Sequence, residues 1–98
     1  MALRVRLTPR AILDLTEIRA YLVARSPTGA DRVRREINRT IRTLSEYPGI
    51  GHESHIGGVR VITTRRYPYL VYHRFSRQNL TILHIRHGSR APPTSKDL

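Results

Sequence analysis

Tyr67-Pro68-Tyr69-Leu70-Val71-Tyr72-His73-Arg74-Phe75 is followed by Ser76-Arg77-Gln78-Asn79, and then by Leu80-Thr81-Ile82-Leu83-His84-Ile85-Arg86-His87-Gly88-Ser89-Arg90. Both apolar runs are rich in β-branched and aromatic residues, and the polar tetrapeptide between them has the length of a hairpin loop. The stretch therefore reads as two tandem antiparallel strands, over residues 69–75 and 80–87. Strand alternation puts Tyr69, Val71, His73 and Phe75 on one face and Leu70, Tyr72 and Arg74 on the other. The second strand ends among His and Arg side chains, which gathers several hydrogen-bond donors at one strand terminus.

Working outward, Gly57-Gly58 closes a polar loop and a further strand is expected over residues 59–64. At the other end of the chain, residues 3–7 alternate apolar side chains with Arg4 and Arg6, a strand with one solvated face. Thr8-Pro9 then starts a helix, with Thr8 as N-cap and Pro9 at its first position. Ala11, Leu15, Ile18 and Leu22 form its buried stripe, while Asp14 and Glu17 are placed in the early turns, where the helix dipole favours acids. Ser26-Pro27-Thr28-Gly29 interrupts the helix. A second begins near Ala30 and buries Val33, Ile37, Ile41 and Leu44, and its other face carries Arg32, Arg34, Arg35, Arg39 and Arg42. Pro48-Gly49-Ile50-Gly51 ends it. The order is β-α-α-β-β-β, an α+β fold with a helical hairpin on one face of a mostly antiparallel sheet. One domain is expected over residues 1–91, and a loose tail over 92–98.

The 98 residues suffice for one domain with its own core. The chain has no Cys, which excludes disulfides and thiolate zinc sites and fits a reducing compartment. No apolar run reaches the ~20 residues of a membrane span, and no signal-peptide core is present, so a soluble cytoplasmic protein is expected. Eighteen Lys+Arg against seven Asp+Glu give a net charge of +11. Every cation but Lys96 is Arg, the residue suited to bidentate contacts with phosphate or carboxylate. A GC-rich genome would favour Arg over Lys, but it does not account for the excess of positive charge. Nucleic acid or an acidic protein is the expected partner.

Several motifs together resemble the ParE/RelE superfamily of bacterial toxins. Ala11-x-x-Asp14-Leu15-x-x-Ile18-x-x-Tyr21 is similar to that family's opening helix. Ile37-x-x-x-Ile41-x-x-Leu44-x-x-x-Pro48-x-x-Gly51 is similar to its second helix and exit. Val59-Arg60, Pro68-Tyr69-Leu70-Val71-Tyr72 and the run from Ile82 to Arg90 are similar to its three later strands. None of these pieces is specific alone; their order across nearly the whole chain is. The resemblance implies a toxin of a type II toxin–antitoxin module, held inactive by a cognate acidic antitoxin in a hetero-oligomer. ParE-like members poison DNA gyrase with no recognised active site. RelE-like members cleave messenger RNA on the ribosome. No cofactor and no metal are implied by either branch.

RNA cleavage by the RelE route needs a base for the 2′-hydroxyl, a cation for the developing phosphorane and an acid for the leaving oxygen. On that pattern Arg60, His87 and Arg90 are the candidate catalytic residues. The chain departs from it in three places: Tyr69 stands where the cleaving branch has Arg, Ile62 fills a second basic position, and the C-terminal Tyr is missing, with Lys96 in the tail instead. The ParE reading is therefore preferred and the RelE-like endoribonuclease is the alternative. A plain nucleic-acid-binding module rests on charge alone, which supplies only salt-sensitive, non-specific affinity.

Of the histidines, His84 reads as a residue packed or hydrogen-bonded on the sheet, and His87 as one that positions a loop. The His87-Gly88-x-Arg90 ending is also similar to that of ParE-like members. His52, Glu53 and His55 are too few for a metal site. The aromatics Tyr67, Tyr69, Tyr72 and Phe75 could stack bases but read as core or sheet-edge packing. For binding an antitoxin or target, Arg35, Arg39 and Arg42 on the second helix, with Tyr69 and Arg86, are the candidates.

Overall fold

Alternation at the N-terminus produces β1 (Arg4–Leu7) in the computed structural model, which describes residues 2–98. The chain turns at once into α1 (Pro9–Arg25), whose N-cap is Thr8: its hydroxyl accepts from the Ala11 N–H at 3.1 Å. Ser26 then closes α1 and opens α2 (Pro27–Glu46) in one step. Its N–H donates to the Leu22 carbonyl at 2.7 Å, and its hydroxyl accepts from the Gly29 N–H at 3.0 Å. The second helix thus starts at Pro27, three residues before the expected Ala30. Pro supplies a ready-made first-turn φ and lacks only an N–H that would go unused there, so Pro27 begins the helix rather than preventing it.

The stripe Val33, Ile37, Ile41 and Leu44 is fully buried against the sheet, as its spacing predicts. The α1 stripe is buried at Ala11 but only half-buried at Leu15, Ile18 and Leu22. The shallower burial of α1 leaves a cleft beside it.

Downstream come β2 (His52–Glu53), β3 (Arg60–Thr63), β4 (Tyr69–Phe75) and β5 (Asn79–His87). The five strands pair in the order β1-β5-β4-β3-β2, with β1 parallel to β5 and every other pair antiparallel. The two-residue β2 lies where a loop was expected. Gly51 makes it possible: its φ is +93°, and a Cβ there would meet the Val61 carbonyl oxygen at 2.7 Å.

One irregularity in the hairpin redirects side chains. Tyr72 pairs with His84 but the next residue, His73, pairs with Ile82, so one step on β4 takes two on β5 and Leu83 is left over. Leu80 and Ile82 face the helices together with Ile85, while Leu83 joins Tyr72 and Val59 in a second apolar cluster. Phe75, placed by alternation on the face of Tyr69 and Val71 and read as core or sheet-edge packing, lies at the hairpin tip and is 43 % exposed. Residues 92–98 are not the loose tail expected. Pro93 is buried, its carbonyl accepts from His55 Nε2 at 2.6 Å, and Leu98 packs on the second cluster. Two prolines hold this segment extended, and a 3-10 turn at Ser95–Asp97 brings Leu98 back to the sheet.

Candidate functional site

The groups that could do chemistry lie where α1 crosses β5. Asp14 is buried in α1, and its Oδ2 accepts from His84 Nδ1 at 2.6 Å and from the Ile85 N–H at 2.9 Å. Its Oδ1 takes the Arg10 guanidinium at 3.1 Å. The carboxylate expected to serve the helix dipole instead fastens α1 to the strand. His84 stacks on Tyr72 at 6.0 Å between ring centroids, so it is the hydrogen-bonded sheet residue the sequence indicates.

At the end of β5, His87 Nδ1 accepts from the Ser89 N–H at 3.1 Å and lies 2.7 Å from Ser89 Oγ. That nitrogen is occupied in shaping the turn. The ring meets Tyr69 edge-on, with centroids 5.4 Å apart and planes at 84°. Burial raises the Tyr69 pKa above the ordinary phenol value, nearby Tyr21 adds to the rise, and Arg90 opposes it. Tyr69 is therefore a neutral hydroxyl at the position where the cleaving branch would carry a cation.

Arg60 is elsewhere. It pairs with His73 on β4, whereas His87 pairs with Tyr69, four residues along the same strand. At ~3.3 Å per residue those positions are about 13 Å apart. The Arg60 side chain donates to the carbonyls of Gly49 at 2.8 Å and Gly51 at 3.2 Å, bracing the loop that leads into β2. The three candidate catalytic residues are thus not gathered: His87 and exposed Arg90 share one sheet end, and Arg60 is tied down near the other.

Of the five candidate binding residues, Arg35, Arg39 and Arg42 lie exposed on α2. Arg35 pairs with Asp31 at 3.0 Å and Arg39 with Glu36 at 3.6 Å. Arg34 and Arg35 hold the Asp31 pKa below its usual value. Tyr69 and Arg86 are different: they are 8 % and 5 % exposed and present no open surface. Both border a cleft of about 640 Å³ between α1, the end of β5 and the C-terminal segment. Buried Glu36 went unnoticed in the sequence; its carboxylate accepts from the Arg65 N–H at 3.3 Å, linking α2 to the loop after β3. Its position between Val33 and Ile37 on the apolar stripe is the signal that could have shown it.

Residues 5–92 match the model of the ParE toxins of type II toxin–antitoxin systems (parDE). The chain belongs to this family. A candidate toxin of Sinorhizobium fredii, Y4kP, is 36 % identical over 83 residues, covering 83 % of this chain and 86 % of its own. The toxin–antitoxin structure of the chromosomal ParDE system from P. aeruginosa is similar with a TM-score of 0.77. That match is 26 % identical and covers 88 % of this chain and 96 % of that one. The toxin–antitoxin complex RelBE2 from Mycobacterium tuberculosis shares the fold with a TM-score of 0.60 at 21 % identity, covering 89 % and 99 %. Two helices on a five-stranded, mostly antiparallel sheet are thus the common architecture of this ParE-family toxin and both structures. Among the described residues no helix is long and apolar enough to cross a membrane.

Proposed function

We propose that this ParE-family chain acts by binding and inhibiting DNA gyrase, and that a cognate acidic antitoxin neutralises it in a hetero-oligomer. The observation that supports this reading is the scatter of the groups that strand transesterification would need. Arg60 braces a loop about 13 Å along the sheet from the His87 position, His87 Nδ1 is engaged by Ser89, and Tyr69 is a buried, neutral phenol. Stabilising a phosphorane takes a cation aimed at the developing charge, and each such contact is worth roughly 2.7–4 kcal/mol. Inhibition by binding needs none of them. The antitoxin reading is supported by the net charge of +11 and by the toxin–antitoxin complexes that share the fold. We assign Arg35, Arg39 and Arg42 to the surface that meets the antitoxin or target.

Purified toxin should inhibit gyrase supercoiling in vitro or trap cleaved DNA, and it should leave ribosome-bound messenger RNA intact. Cleavage in the ribosomal A site, with supercoiling unaffected, would overturn this reading and establish the RelE-like endoribonuclease. In that event Arg90→Ala should abolish toxicity while the melting curve is unchanged.

A further inference from the structure

Arg86 is the one charged side chain of the cleft whose surroundings do not explain it. It is 5 % exposed, and its Nη2 is buried with no hydrogen-bond partner among the described residues. Its Nε reaches only the neighbouring His87 carbonyl, at 3.4 Å. A guanidinium nitrogen buried without an acceptor is unfavourable, and such groups are rare unless something else satisfies them. The planar fork of donors is matched by a carboxylate. Among the described residues none of the three carboxylates of the cleft supplies that match: Asp14 serves His84, Ile85 and Arg10, Asp97 accepts from its own Thr94 N–H at 2.8 Å, and exposed Glu17 makes no ion pair with Arg86.

The C-terminal segment lines the same cleft as Arg86. Arg86 pairs across the sheet with Leu70, and Leu70 packs in the same cluster as Leu98. Pro93 and Asp97 border the cleft with it. The segment is fastened at few points: the His55–Pro93 hydrogen bond and the seating of Leu98 against Val59, Tyr72 and Leu83. It borders the same cleft as Arg86 without giving it an acceptor.

We propose that Arg86 is a carboxylate anchor held in reserve beneath a C-terminal strap, residues 93–98, and that an acidic partner segment engages it by displacing that strap. The cleft wall opposite offers Ile18, Tyr21 and Leu22 along with Arg25, Arg10 in its pair with Asp14, and a single exposed carboxylate, Glu17. Apolar and cationic groups side by side suit a peptide that alternates apolar and acidic side chains better than a sugar–phosphate backbone. Identification of that peptide with the antitoxin rests on the function proposed above; the anchor and the strap do not.

The test uses the full chain and a short fluorescent peptide alternating Leu and Glu, with a Leu/Gln peptide as control, at a pH where His is neutral. Leu98→Ser and His55→Ala loosen the strap with no change of net charge. Each should tighten Glu-peptide binding about 3- to 10-fold, because apparent affinity scales with the binding-competent fraction. The Gln peptide should gain nothing, and Arg86→Gln added to Leu98→Ser should cancel the gain. Should Arg86→Gln fail to fold, the Arg86 Nε–H resonance of the native chain serves instead, moving with the Glu peptide and not with the Gln peptide. Unchanged or weaker Glu-peptide binding by the loosened variants would make the segment a wall and overturn the proposal. So would an equal gain for the Gln peptide, or for duplex DNA in its place. If the strap fails these tests while the native chain still inhibits supercoiling, the toxin reading stands without it. If the strap passes and supercoiling is untouched, only the gyrase reading falls.

Discussion

His73 is fully buried in the centre of the hairpin. Its Nδ1–H donates to the Val71 carbonyl at 3.0 Å, and Nε2 is left without a partner among the described residues. Burial lowers its pKa; the Val71 bond works against that, and nearby Arg60 lowers it further. Protonation is therefore easier in the unfolded chain, whose His titrates near ~6.5. The sign follows: stability is fully present above about pH 6.5, and it falls as the pH drops below that value. Urea midpoints measured across pH 7.5 to pH 5 should decline, and His73→Gln should flatten the decline; a slope unchanged by that substitution would acquit His73. Asp14 tests packing rather than titration. Asp14→Ala strips the acceptor from His84, from the Ile85 N–H and from Arg10 at once. Each buried donor left without its acceptor costs about 1–3 kcal/mol, a large part of the ~5–15 kcal/mol that holds a typical domain together. Denaturation by urea reads it directly, and a loss below ~1 kcal/mol would show that the site relaxes around the gap.

At the scale of elements, Ser26 carries the helical hairpin by capping both helices. Ser26→Ala keeps the backbone bond to Leu22 but removes the hydroxyl that accepts from Gly29. It should cost about 1 kcal/mol, the usual worth of an N-cap, and Ser26→Asp should recover most of it in a thermal melt. The α2 stripe, the Thr8 cap and the Tyr69–Phe75 strand were legible in the sequence because each obeys a local period or a local cap. The register slip at Leu83 was not, since it depends on which residue of β4 meets which residue of β5, a match that no single strand encodes. The same slip places His84 opposite Tyr72 and within reach of Asp14, so the link between α1 and β5 was hidden with it. β2 is two residues long and gave no alternation to detect. The docked C-terminus escaped for a related reason: its anchors, His55 and the Val59–Tyr72–Leu83 cluster, lie far away in the chain. The candidate catalytic trio was assembled from a family pattern, and Arg60 shows the limit of that reasoning. A matching residue type can be consumed by a local task, here the bracing of Gly49 and Gly51.

For the whole molecule the deciding quantity is the net charge of +11, with Arg35, Arg39 and Arg42 exposed along one side of α2. A field of that sign should raise the encounter rate with an acidic antitoxin by about 10-fold or more at low salt. The final affinity has a different origin. Apolar surface is half-buried along α1 at Leu15, Ile18 and Leu22, and a partner that covers it gains stabilisation that salt does not screen. The two contributions separate kinetically. The Debye length shrinks from ~10 Å at 0.1 M salt to ~3 Å at 1 M, which removes steering but leaves short contacts in place. Stopped-flow mixing with the cognate antitoxin should therefore show the association rate falling about 10-fold or more over that range, while the dissociation rate changes little. Neutralising the α2 strip with Arg35→Gln, Arg39→Gln and Arg42→Gln together should lower the association rate at low salt and flatten its salt dependence. An association rate indifferent to salt would remove steering from the account. A dissociation rate that climbs as steeply as association falls would move the binding energy from apolar burial to ion pairs.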